Sequence, residues 1–304
     1  MKYFIKEIKK NHAAYVLLAP AVILVLTLSY LPMSGIILAF KSFKYNLGIF
    51  RSPWVGFENF RFFFISGTGL TVTLNTITYN LVNLITLQSA SVILAIFITE
   101  SRNIYFKKIT QSMVFLPYFI SWVVVGMLAY NILNFESGIM NTVIKSFGGK
   151  PYNIYADKYV WRFVIPSVNM WKWVGYTSVI YIAAIAGVDQ ECYESADIDG
   201  ANILQKNIYI TIPCIAKSII IMVLLNVGRI LRGDFQMFYQ LIGNNGQLFQ
   251  TTDVIDTFVF RSLLSSSELT MSSAATFYQS ILCFVIIMAV NGVVRKIDKD
   301  SALF

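Results

Sequence analysis

A chain of 304 residues with 56% hydrophobic and 13% charged side chains, and a mean hydropathy of +0.63, is too apolar for a water-soluble monomer, which carries about 25% charged residues. The formal net charge of +8 comes without a basic stripe interleaved with aromatics outside the apolar runs, so nucleic acid is excluded as a partner and the cations suit the flanks of membrane segments. Cys192, Cys214 and Cys283 lack metal-ligand spacing and His12 is the single histidine, which excludes a zinc site, a disulfide framework and a His-based catalytic centre.

In chain order, residues 1–12 are lysine-rich and read as a cytoplasmic segment. Residues 13–40 are uncharged, longer than the h-region of a signal peptide and without a small-residue cleavage pattern, so they are expected to stay as a transmembrane helix. Residues 70–99, 109–134 and 269–294 are further uncharged runs of spanning length. Residues 160–187 read as a span in spite of Lys172 and Pro166. The fifth span is short, since only 218–228 separate Lys217 from Arg229. It is extended back over 208–212, with Arg229 and Arg232 tolerated by facing a water-filled cavity. The expected fold is therefore an all-α membrane protein with six transmembrane helices in one domain, residues 13–294, followed by a cytoplasmic tail, 295–304. The N-terminal lysines and Arg102, Lys107 and Lys108 place both termini in the cytoplasm. The long connections 41–69, 134–159 and 233–268 are expected outside, as turn-rich loops.

The most informative segment joins the fourth and fifth spans. Residues 189–213 read DQECYESADIDGANILQKNIYITIP, with Glu191, Glu194, Asp197 and Asp199 early and Lys206 late. Acids first and a base last suit a helix dipole, and a glycine between two polar stretches predicts two short helices broken at Gly200. Polar residues within the spans are candidates for a substrate route, because they are costly there. Asn169, Lys172, Trp173 and Tyr176 fall on one helical face, and Asn226, Arg229, Gly233 and Gln236 on another. Plain packing competes with that reading: an interfacial belt for Trp171, Trp173 and Tyr118, and interhelical hydrogen bonds for Asn75, Asn80, Asn83 and Gln88. Lys172 and Arg229 each need water, a substrate carboxylate such as a uronic or sialic acid, Asp234, or another subunit.

Residues 189–213 resemble the EAA loop of binding-protein-dependent ABC importers. Glu194, Ala196, Gly200, Ile210 and Pro213 match its pattern, with Ser195 for the second alanine and Ile212 for leucine. ADIDGAN, from Ala196 to Asn202, resembles the sugar-type branch. LLAPAVILV, SPWVGFENFRFFF, FLPYFISWVVVGML and TTDVIDTFVFR resemble the permeases for complex oligosaccharides, the aldouronate type among them. The resemblance implies a type I importer permease, maltose-permease-like in fold, in a bacterial cell membrane. It implies a second homologous permease, two cytosolic subunits that bind ATP and Mg, an extracellular solute-binding lipoprotein, an oligosaccharide substrate and no cofactor on this chain. Glu194 would make the charged contact to the ATPase within a coupling surface that includes Ser195 and Asp199. Gly200 would let the chain reverse closely, and Ala196 and Ala201 would leave room for the partner. Tyr176 coincides with a sugar-facing tyrosine of maltose-type relatives, while Asn226 and Arg229 occupy facing positions with other residue types there. The spans carry no interior acids, no inverted repeat and no catalytic set, and the chain has no Walker-type motif, which argues against a secondary transporter or an intramembrane enzyme.

Overall fold

The computed structural model describes residues 10–65, 67–265 and 269–297, so most of the 1–12 segment and of the 295–304 tail lies outside the described residues. Helices build the chain: α1 (His12–Phe40), α2 (Glu58–Ile65), α3 (Thr68–Glu100), α4 (Ile104–Phe119), α5 (Trp122–Leu133), α6 (Ile139–Ser146), α7 (Trp161–Ala186), α8 (Gln190–Ile198), α9 (Ile203–Val227), α10 (Phe235–Ile242), α11 (Ile255–Ser265) and α12 (Leu269–Ile297). Of these, α1, α3, α9 and α12 are long and apolar enough to cross a bilayer, and α4 with α5 forms a fifth candidate, bent by 98°. With 26 residues, α7 is long enough to cross as well, and it carries Arg162, Lys172 and Pro166.

The centre of the bundle is the pairing of α3 with α7. A polar seam runs through it: Gln88 accepts from the buried Tyr181 hydroxyl, and Ser91 donates to the Val174 carbonyl at 3.4 Å. On the other side of α7, α4 approaches at Gly175, where a Cβ would sit 2.1 Å from the Val114 carbonyl oxygen. The end of the bundle away from residues 189–202 holds the larger core, with Trp122, Trp161, Ile165, Phe238 and Leu241 buried together.

Three sequence expectations are corrected. The run 109–134 is not one straight span: Ile120 is extended, Ser121 caps α5 by accepting from the Val124 N–H at 3.4 Å, and α4 and α5 diverge there. The fifth span starts earlier than the charges suggest, at Ile203, and ends at Val227 before either arginine. Of the expected loop 233–268, the described residues 233–265 are not loose, because α10 and α11 bury Met237, Phe238, Ile255 and Phe258 in the bundle. Their stability has a polar source. The unwound segment between α9 and α10 exposes carbonyls that water cannot reach in lipid. Asn80 donates to those of Ile230 and Arg232 at 2.7 and 3.1 Å, and Gln279 to that of Leu231 at 2.6 Å. The Asp256 carboxylate accepts from the Gly233 N–H at 2.7 Å and from Gln279 at 3.0 Å. Asn75 likewise donates to the Gln250 and Asp253 carbonyls at 3.2 and 3.0 Å, in and just after the short helical turn Phe249–Thr252, so the bonding expected of Asn75 and Asn80 is made to backbone carbonyls.

Candidate functional site

Residues 189–213 form two helical arms joined by a tight reversal. Asp189 caps α8, accepting from the Glu191 N–H at 3.1 Å. The helix closes in a Schellman motif: the Ala201 N–H donates to the Ala196 carbonyl at 2.9 Å and the Gly200 N–H to that of Asp197 at 3.1 Å, with Gly200 left-handed at φ +77°. Asn202 then opens α9 with a capping box to Gln205, the two bonds measuring 2.8 and 2.9 Å. The expected glycine break is there, but no atom lies within 4 Å of where a Gly200 Cβ would stand, so the glycine answers a backbone conformation and not a close contact.

The arms are clipped together twice. Lys206 pairs with Asp197 at 2.8 Å, and the Tyr193 and Thr211 hydroxyls meet at 2.9 Å, with Thr211 donating on to Asn207 at 3.0 Å. Glu194, Ser195, Asp199 and Pro213 are exposed, while Ala196, Ala201 and Ile210 are half-buried. Sequence reasoning missed the apolar tip: Ile198 is 87% exposed, Leu204 72% and Ile203 also exposed, on a loop otherwise rich in acids. The signal was legible as isoleucines and leucine out of phase with any buried face.

The span candidates separate into two groups. Trp173 and Tyr176 join an aromatic cluster at the α4–α5 bend: Tyr176 stacks on Tyr118 with centroids 4.5 Å apart and planes at 13°, and Trp173 meets Tyr118 edge-on at 5.4 Å. Tyr176 stays 39% exposed and Trp173 is half-buried. Lys172, on the same helical face, is 5% exposed and committed elsewhere. Its ammonium donates to the Pro117 and Tyr118 carbonyls at 3.2 Å each and to that of Ile120, and stands 5.2 Å over the Trp122 ring. It caps the open end of α4, where a helix C-terminus attracts a cation. A free sugar-binding lysine is therefore not what this geometry presents. The expectation that Asn226, Arg229, Gly233 and Gln236 share a helical face also fails, because α9 ends at Val227. Asn226 is exposed and donates to the Met222 carbonyl at 2.7 Å, and Arg229 is exposed. Gly233 is a packing position whose Cβ would meet Val254 at 2.9 Å and Asp256 at 3.1 Å.

A family model for the binding-protein-dependent transport system inner membrane component matches residues 91–299. Protein LplB of Bacillus subtilis (strain 168) is 29% identical over 294 residues, 97% of this chain and 92% of that protein. The polygalacturonan/rhamnogalacturonan transport system permease protein YteP of the same organism is 29% identical over 300 residues, 99% of this chain and 92% of that protein. A crystal structure of a bacterial ABC transporter involved in the import of the acidic polysaccharide alginate contains a chain that superposes with a TM-score of 0.88 at 30% identity, over 97% of this chain and 99% of that one. A model covering more than half the chain, together with a loop of this build on an all-helical membrane bundle, gives the family: the chain belongs to the inner membrane components of binding-protein-dependent transport systems.

Proposed function

We propose that this chain is one of two membrane-spanning subunits of an ATP-driven importer for an oligosaccharide, and that residues 189–213 dock on a cytosolic ATPase. On this reading α7 is a sixth crossing and the bent pair α4–α5 the third, which returns both ends to the cytoplasmic side. Residues 12–30 of α1 bury no side chain against the rest of the chain, so that face is open to lipid and to the second permease that the family reading expects. The names of the relatives support a saccharide, and an extracellular binding protein is the expected donor of it. Trp173 and Tyr176 offer the aromatic faces that hold sugar rings, and Asn226 and Arg229 are exposed polar groups assigned to the same route.

The observation that carries the reading is the apolar tip of the clipped loop. Burying an isoleucine or leucine stabilises a contact by about 1.5–3 kcal/mol each, so Ile198, Ile203 and Leu204 form a docking surface held stiff by Lys206–Asp197 and Tyr193–Thr211. Motion of an ATPase against such a surface reaches α7 and α9 as rigid-body displacement. The test replaces Ile198 and Leu204 together by Ala, and separately Glu194 by Lys. Both forms are expected to insert normally, to lose the ATPase on detergent extraction and to lose uptake. Full retention of ATPase and uptake in both would reduce the loop to a connector.

A further inference from the structure

At the end of the bundle away from the clipped loop, α3 and α7 enclose a cleft of about 820 Å³, within the ~300–1,000 Å³ usual for ligand sites. It follows α3 from Thr71 to Thr86, about 22 Å of helix, the length of a headgroup and one leaflet's acyl chain of ~15 Å laid end to end. The two ends differ in chemistry. At the start of α7, Lys158 and Arg162 flank one ring, with Lys158 Nζ 5.3 Å and Arg162 Cζ 5.5 Å from the Tyr159 centroid. Further along, Phe163, Pro166, Met170 and Val82 supply an apolar wall on which Phe163 is 75% and Val82 37% exposed. The ion pairs among the described residues are Lys206–Asp197 and Arg261–Asp253, so no carboxylate answers either cation. The neighbouring Asp157 is engaged by the Tyr152 hydroxyl and the Tyr159 N–H. Two like charges on one ring repel each other, and an anion placed between them relieves that.

The remaining polar groups of the wall are mostly spent. Asn75 is bonded to the Gln250 and Asp253 carbonyls, and the Gln250 side-chain oxygen accepts from Lys158 at 2.6 Å. The Thr251 hydroxyl donates to the Lys158 carbonyl at 2.7 Å, those of Thr71 and Thr86 donate to carbonyls of their own helix, and the Tyr79 hydroxyl is buried beneath the surface. A neutral, many-hydroxyl solute would find little to bond here. An amphiphile with an anionic head uses both ends, the cations and the apolar wall. A protein helix like α1 fits less well, because residues 13–40 carry no charge and such a helix would leave both cations unanswered.

We propose that this cleft binds an anionic phospholipid from the leaflet opposite the 189–213 loop, its phosphodiester between Lys158 and Arg162 and one acyl chain along Phe163, Met170 and Val82. A guanidinium fork beside an ammonium suits a phosphate, and a tyrosine between them suits the depth of the headgroups. The site belongs to this chain alone and does not depend on which solute the importer carries.

The test is native mass spectrometry of the intact complex, purified with its membrane and ATPase subunits and equilibrated with equal amounts of phosphatidylglycerol and phosphatidylcholine. The same spectra show whether each variant assembles. The wild type is expected to retain phosphatidylglycerol in preference. Arg162→Gln and Lys158→Gln are each expected to lower the ratio of retained phosphatidylglycerol to phosphatidylcholine about fivefold, and the double variant to lose the preference. Val82→Trp fills the place of the chain with both cations intact, and is expected to lower retention of the two lipids alike. Lys150→Gln removes an exposed cation outside the cleft and is expected to leave the ratio unchanged. No preference in the wild type, an unchanged ratio in both cleft variants, or an equal fall in Lys150→Gln would overturn the assignment. So would release of the lipid by excess inorganic phosphate, which would make the site one for free anions. A crosslink from a cysteine at Phe163 to the second permease would also overturn it, with a protein helix as the occupant.

Discussion

A lysine in the middle of a membrane helix is tolerated either by water in a cavity or by spending its protons on carbonyls. Lys172 does the second, and the two arrangements predict different outcomes. Lys172→Met leaves the Pro117, Tyr118 and Ile120 carbonyls without their donor, so thermal unfolding of the purified complex is expected to show a loss of ~1–3 kcal/mol. Tyr176→Ala is expected to reduce uptake while stability and basal ATP hydrolysis hold. The reverse pattern would make Lys172 the sugar ligand and Tyr176 the packing residue. Asp157 gives a pH dependence outside the spans. The Tyr152 hydroxyl and then the Tyr159 N–H, donating at 2.8 Å, hold its carboxyl below the usual range. A depressed folded pKa contributes stability that is present above the ordinary aspartate value of about 3.9 and is lost as pH falls through the folded value. Hydrogen exchange of residues 147–160 is thus expected to accelerate below about pH 4, and Asp157→Asn to abolish that step. The helix break at Gly200 was readable from sequence because loop chemistry is local. The Lys172 acceptors lie more than 50 residues away, and nothing in the sequence pairs them.

At the scale of elements, the loop and the broken fifth helix depend on different kinds of order. The loop needs one left-handed residue. Gly200→Val is expected to strain it by about 1–2 kcal/mol and detach the ATPase. Gly200→Asn, which tolerates positive φ, is expected to retain most activity, and coupled ATPase assays on the two variants separate backbone strain from side-chain bulk. The unwound segment after Val227 needs partners for its carbonyls instead. Asn80→Leu and Gln279→Leu are each expected to destabilise by ~1–3 kcal/mol, and their sum to exceed the double variant, since both serve the same stretch of backbone. Denaturation midpoints of the four forms check this. Apolar runs foretold α1, α3 and α12 well. They foretold the breaks badly, because whether Ile120 or residues 228–234 unwind is decided by side chains on α7, α3 and α12 that satisfy the freed backbone.

At the scale of the whole molecule, the buried surface is uneven. The α3–α7 pair, α10, α11 and α12 share cores, whereas residues 12–30 of α1 stand uncovered, with Val16, Leu17 and Leu28 among their exposed side chains. Cysteines at Leu17 or Leu28 are expected to crosslink to the second permease in native membranes, and crosslinks confined to this chain's own helices would remove the need for that partner. No periodicity announces such an arm, since an apolar helix facing lipid and one facing protein have the same composition. The hydrogen bonds of Lys172 bear also on the order of assembly. Chains are synthesised and inserted from the N-terminus, and the carbonyls at 117–120 precede residue 172. On the proposed six crossings, the bent pair α4–α5 is thus already in the membrane, its acceptors open, when the charged helix α7 arrives, so Lys172 meets its partners on insertion.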